Sequence, residues 1–425
     1  MPKFRVRGYW RPLLITCLLC GSDARADGLR DALQATLQNH PAVAGENAQV
    51  EARSHAADAV RSQRYPTFTA QAQQYGEGGR TTGGEDLSQP YVLRVRQPIW
   101  AFGRIDNSIA VANAEVTTQR ADRLRVLRQL VEDTAAAYAA VRGSQQRIDV
   151  AQQNVTDLEK LSAQIQRRVE GQLASSADAR LAAARLAEGR ALLERAISEW
   201  EGARDDLVGF TQVEVNADQP VPEGLLELHD STDLIDRAID QSAEVSLKQR
   251  QLGQAEMEVD RAKTASMPTI YLQADRYYDQ PGLEDDSQAS VVFEASLEGL
   301  GLATRGRTAE AAASRTAATQ DLAVAKVEVT REIKDLQRNR RLQTELIGLQ
   351  TQSLSDLESL LASYQRQYES GTKSWLDLMN VHRELFEQRR QLVQAQTDWQ
   401  IYSLRLLARI GGLDSLAGIQ GRNDD

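Results

Sequence analysis

Residues 104–169 contain no proline and a single glycine, Gly143. Because proline lacks the amide hydrogen that a helix interior requires, its absence over 66 residues permits one continuous helix. At about 1.5 Å per residue such a helix is about 100 Å long, well beyond the usual helix of a globular domain. A chain with helices of this length must pack them side by side and cannot wrap them around one compact core.

Apolar side chains in the second half of the chain recur with the spacing of a coiled coil. Steps of three and four, or of seven, keep them on one helix face over many turns. They are Leu354, Leu357, Leu361, Tyr364 and Tyr368, followed by Leu378, Leu385, Leu392, Trp399 and Leu406. With only 10 prolines and 5% aromatic residues in the chain, this pattern predicts long helices in coiled-coil packing.

The chain also repeats itself. Tyr65-Pro66-Thr67-Phe68 recurs as Met267-Pro268-Thr269-Ile270, 202 positions later, and Phe102-Gly103-Arg104 is matched by Arg305-Gly306-Arg307. Two copies of this length are domain-scale repeats and not a solenoid array. In each copy the proline ends a first helix, two strands follow, and two long helices complete the repeat.

These signals predict the following domain plan. Repeat 1 spans 27–210, with strands at about 66–76 and 90–100 and long helices at 104–170 and 174–210. Repeat 2 spans 231–412, with strands at about 268–278 and 289–299 and long helices at 307–370 and 374–411. Residues 211–230, which contain Pro220, Pro222 and Gly224, form the predicted linker, and 413–425 a polar C-terminal tail.

The first 26 residues have the organisation of a secretory signal peptide. Basic residues precede a short apolar run, and Ala24-Arg25-Ala26 is a small-x-small cleavage site. Both cysteines, Cys17 and Cys20, lie in this segment, so we expect no disulfide, thiolate metal site or lipid anchor in the mature chain. The remaining 45 basic and 59 acidic residues give a net charge of −14, which disfavours nucleic acid as a partner.

The four predicted strands alternate between apolar and polar residues. Their apolar face comprises Phe68, Ala70, Ala72, Tyr91, Leu93, Val95, Ile270, Leu272, Ala274, Val291, Phe293, Ala295 and Leu297. Period-two alternation gives a strand one apolar and one polar face. Strands of this kind are typical of outer-membrane barrels, although a small sheet packed on a soluble domain has the same pattern. In a barrel, the charged residues would line the lumen: Arg94, Arg96, Asp275, Glu294 and Glu298.

The number of predicted strands indicates how many copies of the chain a membrane barrel would need. After residue 26 no stretch of 18 apolar residues occurs, so a bilayer crossing would require a closed barrel. A barrel needs about eight strands, which is more than one chain supplies. Several copies of the chain would therefore have to contribute strands to one barrel.

This plan resembles that of the TolC family of outer-membrane channels over nearly the whole mature chain. Residues 97–104 (QPIWAFGR) are similar to the family's passage from the second strand into the helix. Residues 368–377 (YESGTKSWLD) are similar to its helix–turn–helix at the periplasmic tip. The resemblance implies a mainly α chain with a small β part. As a homotrimer it would form a coiled-coil α-barrel tunnel topped by a 12-stranded membrane β-barrel.

The resemblance also implies a function. The chain would be the exit duct of a tripartite type I secretion or efflux system in the outer membrane, with its helical part in the periplasm. Its partners would be outer-membrane lipid, a periplasmic adaptor and an inner-membrane ABC or proton-driven transporter. It would have no enzymatic activity and no cofactor. The alternative is a secreted coiled-coil structural or surface protein without a pore.

Carried over residue by residue, the family's periplasmic gate comprises Tyr368, Lys373, Asp377, Asn380 and Asp178. Tyr368 would link to Asp178, and Asp377 would form an acidic ring. Lys373 replaces a family arginine, and Asn380 a family aspartate, which leaves one carboxylate ring in place of two. Adaptor docking would use Gly171, Gly371 and Thr372 at the turns. Asp178 and Asp377 are equally suited to capping the helices that follow them.

Other chemical signals are weak. Gly299, Gly301 and Gly306 lack the spacing of a dinucleotide-binding loop. The four histidines, His40, His55, His229 and His382, share no metal-ligand spacing. No arrangement of carboxylates in the sequence indicates a catalytic site.

Overall fold

The computed structural model describes residues 26–72, 91–227, 233–278, 286–296 and 298–419. Apart from Ala26, the predicted signal peptide lies outside these ranges. The predicted strand residues 73–76 and 90 also lie outside them, as do parts of the linker and of the C-terminal tail.

Each repeat contains two shorter helices, a strand hairpin and two long helices. Repeat 1 follows a two-residue strand β1 (Ala26–Asp27) and contains α1 (Leu29–Asn39), α2 (Pro41–Arg61), β2 (Thr67–Ala72), β3 (Tyr91–Trp100), α3 (Arg104–Glu170) and α4 (Ser176–Thr211). The connection contains β4 (Val215–Asn216), paired with β1, and α5 (Glu223–Leu226). Repeat 2 contains α6 (Asp233–Gln241), α7 (Ala243–Thr264), β5 (Thr269–Tyr278), β6 (Asp286–Glu294), α8 (Leu302–Glu369) and α9 (Trp375–Arg409), and α10 (Asp414–Ala417) follows. The prediction of a mainly α, duplicated chain with a small β part is confirmed.

The start of α8 differs from the sequence-based expectation. The helix begins at Leu302, not 307, and Gly306 lies inside it. Gly301 precedes the helix with φ 89°, as Gly103 precedes α3 with φ 84°. This left-handed conformation favours glycine, and Gly301 takes it at the same place as Gly103. The structural counterpart of Gly103 is therefore Gly301, and the sequence-based pairing of Gly103 with Gly306 was wrong.

The segment after α9 also differs from the expected polar tail. Leu413 is completely buried, and Asp414 pairs with Arg128 of α3 at 2.5 Å. Residues 413–419 therefore pack against the helical body, because they bury an apolar side chain and an ion pair that a solvated tail would expose.

The main core lies near the middle of the long helices. There α1, α6 and the connection between the repeats pack against α3, α4, α8 and α9. Tyr138 of α3 is completely buried, and its hydroxyl donates to the Gln219 carbonyl at 2.7 Å. Burial of the phenol raises the pKa of Tyr138 to about 12. Outside this core the long helices pack in pairs, α3 with α4 and α8 with α9, and α7 lies against both α3 and α8.

The four strands form one antiparallel sheet in the order β2-β3-β5-β6. Its central pairing, β3 with β5, joins repeat 1 to repeat 2 and places Arg94 opposite Asp275. None of the helices in the described ranges combines the length and apolar character needed to cross a lipid bilayer.

Candidate functional site

The predicted gate and docking residues lie at the two turns that join α3 to α4 and α8 to α9. Side chains from all four helices pack these turns together. The buried members are Leu158, Leu161, Ile165, Ala182, Tyr368, Trp375, Leu378 and Met379. Both turns therefore belong to one end of the helical body.

The two turns have the same backbone plan. The amide of Gly171 donates to the Arg167 carbonyl at 3.1 Å, as the amide of Ser370 donates to the Arg366 carbonyl at 3.1 Å. Gly171 thus corresponds to Ser370 and has an ordinary φ of −80°. The left-handed positions are Gln172 (φ 61°) and Gly371 (φ 78°). Glycine is absent from the left-handed position of the first turn, and Gly171 lies in that turn, as predicted from the sequence, with ordinary backbone geometry.

Asp178 and Asp377 both belong to capping boxes. The Ser374 hydroxyl donates to Oδ2 of Asp377 at 2.8 Å, and the Asp377 amide donates back to Ser374 Oγ at 3.2 Å. Ser175 and Asp178 make the same two bonds at 2.8 and 3.2 Å. Hydrogen bonds from the Ser374 hydroxyl and backbone amide hold the pKa of Asp377 below its ordinary value. Both carboxylates therefore stabilise the first turn of a helix in the single chain.

The expected link between Tyr368 and Asp178 is not made: within the described ranges, no hydrogen bond joins these two side chains. Tyr368 is buried, with the Trp375 ring 5.9 Å away and the Arg168 guanidinium 4.4 Å from its own ring centre. Arg168 also donates to the Tyr368 carbonyl at 3.3 Å. The connection between the two tip hairpins is thus made by Arg168, to which the sequence analysis assigned no role.

The remaining tip residues lie at the surface. Lys373 has its ammonium 4.5 Å from the ring centre of Tyr364, and the Thr372 hydroxyl donates to the Gln367 carbonyl at 3.0 Å. Asn380 is exposed one turn beyond Asp377. Exposed apolar side chains accompany them, since Leu173 is 75% exposed and Leu376 54%. The end of the molecule thus offers polar and apolar groups together.

The charged strand residues form a continuous network on one sheet face. Arg94 donates to Oδ1 of Asp275 at 2.7 Å, and Gln273 donates to Oδ2 of the same carboxylate at 2.5 Å. Arg96 donates to Gln273 Oε1 at 2.7 Å and pairs with Glu294 at 3.2 Å. Each of these polar side chains thereby has a hydrogen-bond or ion-pair partner within the network.

Glu298, which was predicted for the same face, lies beyond the end of β6 in a single turn of 3₁₀ helix. It is therefore not a residue of the sheet. The apolar–polar alternation in the sequence continues to Glu298, although β6 ends at Glu294.

The sheet is apolar outside and polar inside, the reverse of a soluble protein. Asp275 and Gln273 are each 7% exposed, whereas Phe68 is 77%, Val291 69% and Phe293 65% exposed. Three aromatic side chains, Tyr65, Trp100 and Phe102, are also exposed at the helical end of the strands. Charged groups are seldom this buried, and apolar groups seldom this exposed, unless the apolar face has an apolar environment.

Comparison with solved structures gives matches that cover most of the chain. Crystal structures of CusC, which concern its folding and transmembrane channel formation, match with a TM-score of 0.81 at 15% identity, over 90% of this chain and 92% of CusC. The outer membrane protein VceC of Vibrio cholerae matches with 0.75 at 16% identity, over 90% and 96%. The open MtrE outer membrane channel of Neisseria gonorrhoeae matches with 0.76 at 16%, over 93% and 91%. At these identities the likeness establishes the shared fold.

No curated protein sequence gives a significant match. The family model for outer membrane efflux proteins, by contrast, matches the sequence twice, at residues 32–210 and 234–412. The two matches correspond to the two repeats and together span most of the chain. The chain belongs to the outer membrane efflux protein family.

Proposed function

We propose that the chain forms, as a homotrimer in the outer membrane, the exit duct of a tripartite efflux or type I secretion system. The observation that carries the proposal is the inverted sheet, in which Asp275, paired with Arg94, is buried while the apolar face is exposed. A lipid environment is the one in which such a face is stable. The family supports the same function, since its members are outer membrane efflux proteins.

The long helices support an assembly of several copies. The helices α3 and α8 occupy equivalent places in the repeats and have 67 and 68 residues. Yet α3 buries 24 residues and α8 only four, Ala325, Val329, Ile333 and Tyr368. Apolar side chains of α8 remain exposed, among them Val327 at 68% and Leu349 at 70%. In a closed ring of copies, α8 would gain the neighbours that α3 already has.

The turn end would be the periplasmic gate and the contact for an adaptor. Asp377 would give one acidic ring in the trimer, and Asn380 the neutral position beside it. Lys373 and the Arg168–Tyr368 contact would hold the tips together, while Asp178 would cap α4. The exposed turns around Gly171, Gly371 and Thr372, with Leu173 and Leu376 beside them, would meet the adaptor, which in turn connects to an ABC or proton-driven transporter.

Planar-bilayer recording of the detergent-extracted full chain tests the duct. We expect stepwise conductance and an oligomer that dissociates on heating. Leu272→Lys places a charge on the apolar face and should block membrane insertion, at a cost of about 2–4 kcal/mol for each copy at mid-bilayer. Leu272→Met is the matched control and should insert. A monomer that stays soluble without detergent and forms no pores would instead indicate the secreted coiled-coil protein.

A further inference from the structure

Among the described strand residues, one charged side chain lies on the apolar face of the sheet, that of Arg276. It is exposed near the end of β5 that lies away from the helices. Because successive side chains of a strand point to opposite faces, Arg276 shares the face of Leu272 and not that of Asp275. Leu93 of β3 and Ser287 of β6 lie opposite it. A charge that points outward from a membrane sheet needs a polar partner in its surroundings.

Arg276 marks the level at which the apolar face ends. Nearer the helices, the outward side chains of β5 and β6 are all apolar: Ile270, Leu272, Ala274, Ala289, Val291 and Phe293. From Met267, which is 44% exposed just before β5, the chain advances nine residues to Arg276. At about 3.3 Å per residue and a tilt of about 40°, these residues rise about 23 Å, close to the apolar band of about 25 Å in an outer-membrane barrel. Arg276 therefore lies at the outer boundary of the band, where a charge costs much less than it does at mid-bilayer.

The Arg276 side chain extends away from the apolar band. Its guanidinium carbon lies 5.0 Å from the ring centre of Tyr278, the next residue on the same face and the last of β5. Such a contact orients the guanidinium and leaves N–H groups available to donate to a ligand. No carboxylate of the described residues pairs with Arg276. Tyr91, opposite Tyr278 and 47% exposed, brings a second amphipathic ring to the same level.

We propose that Arg276, Tyr278 and Tyr91 bind the phosphate headgroup of a phosphorylated glycolipid in the outer leaflet. With the helices in the periplasm, this end of the strands faces the outer leaflet, whose glycolipid carries phosphates on its sugars. Phosphate suits the site because a planar guanidinium donates two parallel hydrogen bonds to phosphate oxygens, while the apolar side chains below it contact acyl chains. The site rests on the proposed function and adds the class of lipid that the sheet binds.

Lipid binding to the detergent-extracted full chain tests the site, with native mass spectrometry as the measurement. The probes are lipid A, dephosphorylated lipid A, phosphatidylglycerol and inorganic phosphate. We expect lipid A to bind about tenfold more tightly than its dephosphorylated form, since hydrogen bonds from a charged donor add to the same acyl-chain contacts. Phosphatidylglycerol should bind more weakly than lipid A because it has fewer acyl chains, and inorganic phosphate, which has none, should not bind.

Substitutions of the arginine separate its charge from its shape. Arg276→Gln should weaken lipid A binding about tenfold and leave binding of the dephosphorylated form unchanged. Arg276→Lys keeps the charge without the planar fork, so its affinity for lipid A should lie between the two. Arg53→Gln is the matched control, because Arg53 is an exposed arginine of α2 in the helical body, paired with Glu115 at 3.4 Å. All variants are compared as oligomers that remain associated on unheated gels.

Equal affinity of Arg276→Gln and the unmodified chain for lipid A would overturn the site and leave the duct in place. Equal affinity of the unmodified chain for lipid A and for phosphatidylglycerol or inorganic phosphate would overturn the glycolipid as its ligand. A chain that stays soluble without detergent and forms no pores would overturn the proposed function, and the lipid site with it.

Discussion

Asp178 and Asp377 are structural counterparts, each accepting a 2.8 Å hydrogen bond from the serine that caps its helix. In the sequence both residues were candidates for capping and for the gate. The structure shows capping by both, whereas the proposed acidic ring of the gate requires only Asp377.

Asp377→Asn should weaken block of the channel by divalent cations added on the turn side. The amide keeps an oxygen for the Ser374 bond but removes the negative charge from the proposed ring. Asn380→Asp should strengthen the block by adding a second ring. The measurement is single-channel conductance against Mg²⁺ concentration, with Asp178→Asn as the control for altered capping. Equal responses to both Asp→Asn changes would remove Asp377 from the gate.

Gln172→Gly should stabilise the first turn, and Gly371→Ala should destabilise the second. Gln172 has φ 61°, a conformation that costs a side-chain-bearing residue about 1 kcal/mol, and glycine relieves that strain. At Gly371 (φ 78°) an added Cβ meets no atom within 4 Å, so the whole cost comes from the backbone. Rates of limited proteolysis at each turn measure both effects. A slower cut in Gly371→Ala would contradict the assignment.

Arg168→Gln should loosen the two tip hairpins from each other. The change removes a guanidinium 4.4 Å from the Tyr368 ring centre and a bond to the Tyr368 carbonyl, a contact worth about 0.5–2 kcal/mol. Arg167→Gln, at an exposed neighbouring position, is the matched control. Antibiotic susceptibility of cells that produce each variant reports leakage. Equal susceptibility of the two variants would show that this contact does not hold the tip closed.

Sequence patterns predicted best where a period is repeated many times. The alternation around Leu272 and Gln273 gave the correct faces of the sheet, because a strand places successive side chains on opposite sides. The same alternation did not show where β6 ends, so Glu298 was included wrongly in the sheet. The sequence also did not show which charged residues pair with each other. The pairing of Arg94 with Asp275 depends on the register between β3 and β5, which are far apart in the sequence.

The tip shows the same limit. The resemblance to the TolC family indicated both turns, but it did not show that Gln172 takes a backbone conformation that favours glycine. The position of Arg168 over Tyr368 was not predicted either, because a contact between two hairpins depends on how their helices are rotated. Such contacts follow from packing in three dimensions and leave no local signal.

Gly143→Ala should destabilise the helical body. A Cβ at Gly143 would lie 2.1 Å from Thr397 Oγ1, so α3 and α9 would have to separate, at a cost of about 1–3 kcal/mol. Gly253→Ala in α7 is the control, because its Cβ meets nothing within 4 Å and alanine is the better helix former. Thermal unfolding followed by circular dichroism should show opposite shifts. A higher melting temperature for Gly143→Ala would contradict the close contact.

His382 should make the helical body less stable in acid. Its side chain is buried where α9 meets α3, with Asp157 of α3 and Arg389 of α9 nearby. Burial lowers the pKa of His382, and the carboxylate of Asp157 opposes this only in part. The unfolded chain therefore binds more protons than the folded one, so this contribution to stability is complete above about pH 6.5 and is lost as the pH falls below it.

His382→Leu should remove this pH dependence. Between about pH 7 and pH 5 the unmodified chain should lose more of its unfolding free energy than the variant, because only the unmodified chain has a histidine that takes up its proton on unfolding. His55→Gln, at an exposed position beside Glu51, should behave like the unmodified chain. Denaturant unfolding of the detergent-extracted protein at both pH values measures the difference. If His382→Leu and the unmodified chain lose equal stability in acid, His382 is charged in the folded chain and its burial does not control this titration.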